Sequence, residues 1–199
     1  MNKTKRVRVP VRIDFAGGTT DIEPFASKYK GAVLNAAINK YVYGHLVSTN
    51  KKVELSYHEH IPTSSGLGTS GAMNVAWLAL ISKETDRPKI AEEVYGIEQA
   101  IGLVGGKQDQ YAAAMGGINF LEFINGKVKI TRLKLKPEVI RKLENSLVLL
   151  YTGKPHFSGN TNKEMIDNLP RNKDNLMRIR DIAWEMKRAL EKGDLGRFA

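Results

Sequence analysis

Cysteine is absent from the chain, and histidine occurs only four times. The first absence excludes disulfide frameworks, thiolate metal sites and cysteine nucleophiles; the second argues against a histidine-based zinc site. Any catalysis therefore has to use carboxylates, hydroxyls, backbone groups and cations. No apolar run is long and uninterrupted enough to span a membrane, and the opening MNKTKRVRVPVRI lacks the apolar core of a secretory signal, so a cytoplasmic location without a membrane partner is expected. Internal repeats and low-complexity segments are missing too. What is there is a chain of 199 residues, 42% hydrophobic and 26% charged, enough for one sizeable core or for one domain and part of another.

Acidic residues are outnumbered, 21 against 31 Lys and Arg, which leaves a formal charge of +10. Such a charge invites a nucleic-acid reading. The basic residues, however, are spread through NKTKRVRVPVR, GKVKITRLKLKPE and EMKRALEK with no aromatic-interleaved motif, so no nucleic-acid partner is expected. The spread fits a lysine-rich solvated surface or a field that steers an anionic nucleotide or sugar phosphate to a cleft.

Periodicity gives the elements. KRVRVPVRIDF alternates basic and apolar residues from Lys5 to Phe15, a half-buried strand, and residues 31–57 suggest two or three more strands. A helix is expected from Gly68 to about Ser82. Another is opened by Pro88, with Ile90, Val94, Ile97 and Ile101 at helical spacing and Gly102 as its stop. KQDQYAAAMGG reads as a short helix closed by Gly116 and Gly117, followed by strands in INFLEF, KVKITRL and NSLVLLYTG. Leu176, Ile179, Ala183, Met186 and Leu190 form an apolar stripe on a last helix ending at Gly193. That stripe requires a cover: the N-terminal part, residues outside this chain, or a partner.

Three segments carry candidate chemistry. In SSGLGTSG, glycines and hydroxyls directly precede a helix, whose N-terminus offers unpaired N–H groups and a positive dipole end. Gly66 and Gly68 would let backbone approach a phosphate. The hydroxyls of Thr69 and Ser70 either ligate magnesium or merely cap the helix. No lysine follows, so this is not a Walker A loop. RIDFAGGTTDI ends a strand with two glycines and Asp21, which reads either as an acceptor for substrate hydroxyls or as a capped turn. IEQAIGLVGGKQDQY carries Glu98 on a helix and Asp109 after a glycine-rich turn, each solvated or facing a ligand. YTGKPHFSGNTNKE either lines a substrate cleft with His156 and Asn160 or is a loop leading into a helix.

In this order the segments resemble the GHMP kinase superfamily, the galacto-, homoserine, mevalonate and phosphomevalonate kinases, from about Arg6 to the last helix. RIDFAGGTTD, GAVLNAAINKYVY and GKQDQYAAAMGGINFLEF resemble the branch containing heptose-phosphate kinases and related sugar kinases. The resemblance implies an α+β fold. Residues 1–145 would form a domain like the second domain of ribosomal protein S5, and 146–199 the beginning of a ferredoxin-like C-terminal domain, with the active site between them.

The resemblance also implies ATP- and Mg2+-dependent phosphorylation of a sugar or sugar phosphate. Pro62, Ser64, Ser65, Gly66, Leu67, Gly68, Thr69 and Ser70 would wrap the nucleotide phosphates, with Ser70 and Glu98 as magnesium ligands. Asp109 would be the general base, Arg12 the cation beside the transferring phosphoryl group, and Asp21 the holder of a sugar hydroxyl. Gly17 and Gly18 would give the sugar room. Lys107 would contact phosphate or hold Asp109 ionised, if it is not simply a solvent-facing lysine. Gly71 departs from the pattern, since alanine is common there. The family's third, glycine-rich motif is not found. This implies a truncated or split kinase completed by another segment, a second chain or a second copy. A silent nucleotide- or sugar-binding subunit, a mevalonate-type kinase and an RNA-binding module are the rival functions.

Overall fold

The computed structural model describes residues 3–49, 52–59, 61–62, 64–154 and 158–199. Its centre is β2 (Gly31–Ser48), an 18-residue strand. It pairs along one edge with β1 (Lys3–Ala16), and along the other with β3 (Val53–Glu59) and then β4 (Ile118–Ile124). β5 (Lys127–Arg132) pairs with β4, and every pairing is antiparallel. The expected two or three strands after residue 30 are therefore two, the first continuous. Pro10 is tolerated because β1 is an edge strand and the proline sits at a register shift against β2.

Alternation along β1 behaves as expected, with Val9 and Val11 buried and Arg6 and Arg8 exposed. The start of β2 is buried on both faces, which accounts for its unbroken apolar run. Ala32 and Leu34 pack toward the C-terminal helices, while Val33 packs with Tyr111 and Leu121 on the opposite face. That opposite face is covered by α2 (Thr69–Ile81), α3 (Arg87–Ala100) and α4 (Gln108–Met115). All three lie where the sequence places them. On α3 the apolar stripe is only half used: Ile90 and Val94 are buried, Ile97 and Ile101 are exposed, and Glu98 takes a buried position.

Four helices were not expected from the periodicity: α1 (Phe25–Tyr29), α5 (Pro137–Ser146), α6 (Ser158–Asp167) and α8 (Leu195–Phe198). α7 (Leu169–Lys192) carries the last stripe and ends at the left-handed Gly193, whose N–H reaches back to Leu190. The chain itself supplies the cover. Ala183 and Leu190 are buried with Leu34, Phe120 and Leu143, and the Trp184 ring meets Phe120 edge-on at 4.5 Å. The stripe thus gives no reason to invoke a second chain.

A further expectation fails in the same region. NSLVLLYTG forms no strand: Ser146 ends α5, and the run that follows has no ladder, with Val148 and Leu150 more than three-quarters exposed. β propensity alone does not make a strand where no neighbouring backbone offers bonds. The expected boundary at 145/146 falls in the last turn of α5, and α7 shares a core with β2 and β4 across it. Among the described residues, no helix is long and apolar enough to cross a membrane.

Candidate active site

The loop before α2 turns sharply, with Ser64, Gly66 and Gly68 all at positive φ. Gly68 is the N-cap, and no side chain caps the helix. The hydroxyls of Ser65 and Thr69 are buried and unbonded within the protein. Buried hydroxyls nearly always have a partner, so two orphans beside a helix N-terminus mark a place for one. Capping, the alternative for Thr69, does not occur.

Arg12 ties this loop to α4. Its backbone N–H donates to Leu67 O at 3.0 Å and its Nη1 to Gly66 O. Its Nε and Nη2 lie 2.8 and 2.7 Å from the same oxygen of Asp109, Oδ1. Oδ2 is left outside that pair. The departure at Gly71 has a packing reason here, because a methyl group would stand 2.8 Å from Asp109 Cβ. Glu98 faces the same space from α3. Asn74 Nδ2 donates to its Oε1 at 2.7 Å, and Gln110 Nε2 donates to Oε2. Burial raises the Glu98 carboxyl above the usual range, against the pull of these two amides.

Asp21 is buried, and its Oδ2 accepts the Gln108 N–H at 2.9 Å, filling the first free donor of α4. Burial pushes its carboxyl up to about 6. Asp21 borders the cleft, but its main contact anchors the helix that carries Asp109.

These groups surround a cleft of about 550 Å3, a volume suited to small-molecule ligands. Arg12, Gly18, Asp21, Ser64 to Gly66, Gly68 to Ser70, Glu98 and Asp109 line it. Pro62, Leu67, Gly17 and Lys107 do not. Leu67 packs into the core beneath α2, and Gly17 is pressed against β2, where a Cβ would collide with Ala32 O. Lys107 is turned away: its ammonium donates to both oxygens of Glu92, at 2.7 and 3.0 Å, and to Gly126 O, and sits over the Tyr95 ring. With those partners it is not placed to meet a phosphate in the cleft.

Sequence reasoning passed over Asp14, Gln108, Gln110, Thr161 and Asn162, which also line the cleft. A carboxylate two residues past Arg12 in an otherwise apolar strand end was a signal for Asp14. Asn162, on α6, ties that helix to the glycine-rich turn by donating to Val104 O at 3.0 Å. His156 and the Asn160 side chain lie outside the described residues.

The magnesium and nucleotide expectations can be tested against this geometry. The orphaned Ser65 and Thr69 hydroxyls fit phosphate oxygens. Ser70 and Glu98, both on the cleft wall, supply the hard oxygen donors that magnesium accepts from a protein when phosphates provide the rest.

Residues 30–117 match the family described as the GHMP kinases N terminal domain. The D-glycero-alpha-D-manno-heptose 7-phosphate kinase of Campylobacter jejuni is 30% identical, over 99% of this chain and 74% of that enzyme. A D-glycero-D-manno-heptose 1-phosphate kinase from Bacteriodes thetaiotaomicron superposes with a TM-score of 0.80 at 28% identity, covering 98% of this chain and 76% of that one. The phosphomevalonate kinase of Streptococcus pneumoniae, 13% identical with a TM-score of 0.69 over 98% of this chain and 75% of that one, shares the fold. The chain spans about three-quarters of the length of these relatives. With the glycine-loop geometry before α2, the Arg12–Asp109 pair and this similarity in agreement, the chain belongs to the GHMP kinase family.

Proposed function

We propose that the chain is a sugar kinase that transfers the γ-phosphoryl group of ATP, with Mg2+, to a hydroxyl of a sugar or sugar phosphate, heptose phosphates being the first candidates. The observation that carries the nucleotide half is the pair of buried, unbonded hydroxyls on Ser65 and Thr69 at the start of α2. The substrate half rests on likeness to the heptose-phosphate kinases, at 28–30% identity, against 13% for the phosphomevalonate kinase. A silent binding subunit would keep the loop but have no use for Arg12 against Asp109.

Phosphoryl transfer asks a protein mainly for alignment and neutralisation of charge. The loop from Ser64 to Ser70 holds the phosphates with its backbone and with the Ser65 and Thr69 hydroxyls. Ser70 and Glu98 hold magnesium, which supplies charge neutralisation to the phosphate oxygens. Arg12 is pinned by the loop carbonyls on one side and by Asp109 on the other, so its guanidinium stands between the loop that would hold the donor phosphates and the base. Asp109 takes the proton of the attacking hydroxyl on Oδ2, the oxygen that Arg12 leaves free.

The test is ATP consumption with Mg2+ and a panel of heptose and hexose phosphates, for the parent and Asp109→Asn. Turnover should fall by about 10²- to 10⁴-fold in the variant, with ATP affinity nearly intact. Equal turnover of the two proteins would remove Asp109 from the base role.

A further inference from the structure

The cleft holds a carboxylate to which the reaction above gives no task. Asp14 is the last residue of β1 to pair opposite β2 before the final register shift, across from Asn35. The residue is exposed and lines the cleft. Asp109 is held by Arg12 and Asp21 by the Gln108 N–H. Asp14 is in neither contact; the Gln108 side chain beside it donates instead to Asp21 Oδ1 at 3.5 Å.

Asp14 and Asp109 have different glycine neighbours. Methyl groups added at Gly68 or Gly71 would touch Asp109, so the base abuts the phosphate loop. A methyl group added at Gly18 would instead lie 2.3 Å from Asp14 Oδ2, with Gln108 Nε2 at 3.8 Å. The space opened by the absent side chain of Gly18 is therefore occupied by the Asp14 carboxylate. Behind it, the Asn35 amide is fully buried with neither of its polar atoms bonded within the protein. A carboxylate in such a place repels phosphate and attracts hydroxyl donors.

Resting on the sugar-kinase reading, we propose that Asp14 is a specificity-determining contact for the acceptor, receiving hydrogen bonds from hydroxyls on its sugar ring. The phosphate of a sugar-phosphate substrate then points away from Asp14, and polyols outcompete substrates with few hydroxyls. The charged groups around Asp14 are Arg12 on its own strand, Asp21 after the turn and Asp109 on α4. Desolvation, with the repulsion of the two carboxylates, pushes the Asp14 carboxyl up to about 7 against the attraction of Arg12. Acceptor binding should accordingly strengthen as pH rises through neutrality and the carboxylate becomes a full acceptor.

The experiment compares the parent with Asp14→Asn, using D-glycero-D-manno-heptose 7-phosphate with saturating MgATP. KM for the sugar phosphate should rise about 10- to 100-fold, the loss of one or two hydrogen bonds to a charged group, with kcat and the KM for ATP nearly unchanged. The rise of kcat/KM with pH around 7 should flatten in the variant. Gly18→Ala, whose methyl group would displace the Asp14 carboxylate, provides an independent route to the same KM defect and keeps the test decisive if Asp14→Asn folds poorly. An unchanged sugar KM in a parent that turns the sugar over would overturn the role of Asp14 alone. A parent that binds ATP and phosphorylates no sugar phosphate would overturn the sugar-kinase reading, and this inference with it.

Discussion

The chain twice feeds a glycine-rich loop into a helix N-terminus, and the two outcomes differ. Before α2 the N-cap is Gly68, no side chain caps the helix, and the neighbouring hydroxyls of Ser65 and Thr69 are buried without partners. Before α4 the first N–H is filled by Asp21, and the preceding residue, Lys107, is held by Glu92 and Gly126. One terminus is open and the other is closed. A helix N-terminus is thus a binding site only where the fold leaves its donors free; where a carboxylate from the same chain fills it, it becomes a mount. α4 is such a mount, and the residue it carries is Asp109.

Three changes would break or sharpen that contrast. Asp21→Ala removes the carboxylate that closes α4, leaving a half-buried N–H unpaired at a cost of about 1–3 kcal/mol. Because Asp109 sits one residue beyond Gln108, kcat should also fall by an order of magnitude or more through lost alignment; a variant that unfolds more easily yet keeps full kcat would show that the mount does not align the base. Lys107→Met opens the partly exposed contact with Glu92, and denaturant titration should register about 1 kcal/mol or less. MgATP affinity should stay at the parental value, whereas a marked drop would bring Lys107 back to the phosphates.

The smallest effect is on pH. In the fold, desolvation pushes the Asp14 and Asp21 carboxyls up to about 7 and about 6, above the usual aspartate range. Their ionised forms are disfavoured in the fold, so their contribution to stability is greatest below about pH 4 and is lost as pH rises through 6 to 7. Thermal midpoints of the ligand-free protein should show this as a gain of Asp14→Asn over the parent that grows between pH 5 and 8. A difference independent of pH would mean that Asp14 titrates normally.

What could be read from the sequence follows from how local each signal is. β1, α2, α3 and α4 were legible because alternation, helical spacing, Pro88 and the stops at Gly102 and Gly116 act within a few residues. The gathering of Arg12, Ser65, Thr69, Glu98 and Asp109 around one cleft came from the family resemblance rather than from periodicity. The direction in which Lys107 turns depends on Glu92, fifteen residues back, and the task of Asp21 depends on Gln108, eighty-seven residues on; neither distance leaves a local trace. Residues 147–151 look like a strand by composition, but a strand is a property of pairs, and no partner stands beside them among the described residues. The α7 stripe correctly signalled burial, though not that β2 and β4 provide it.

The claim at the centre is that the open loop before α2 holds the nucleotide phosphates, and Thr69→Val tests it most directly. The substitution keeps the side chain's shape and removes a hydroxyl that makes no hydrogen bond within the protein. Calorimetric titration with MgATP, beside a thermal melt without nucleotide, should give an affinity about tenfold weaker and a melting temperature at or slightly above that of the parent. Unchanged MgATP affinity with a lowered melting temperature would contradict the account, because the hydroxyl would then serve the fold and not the ligand.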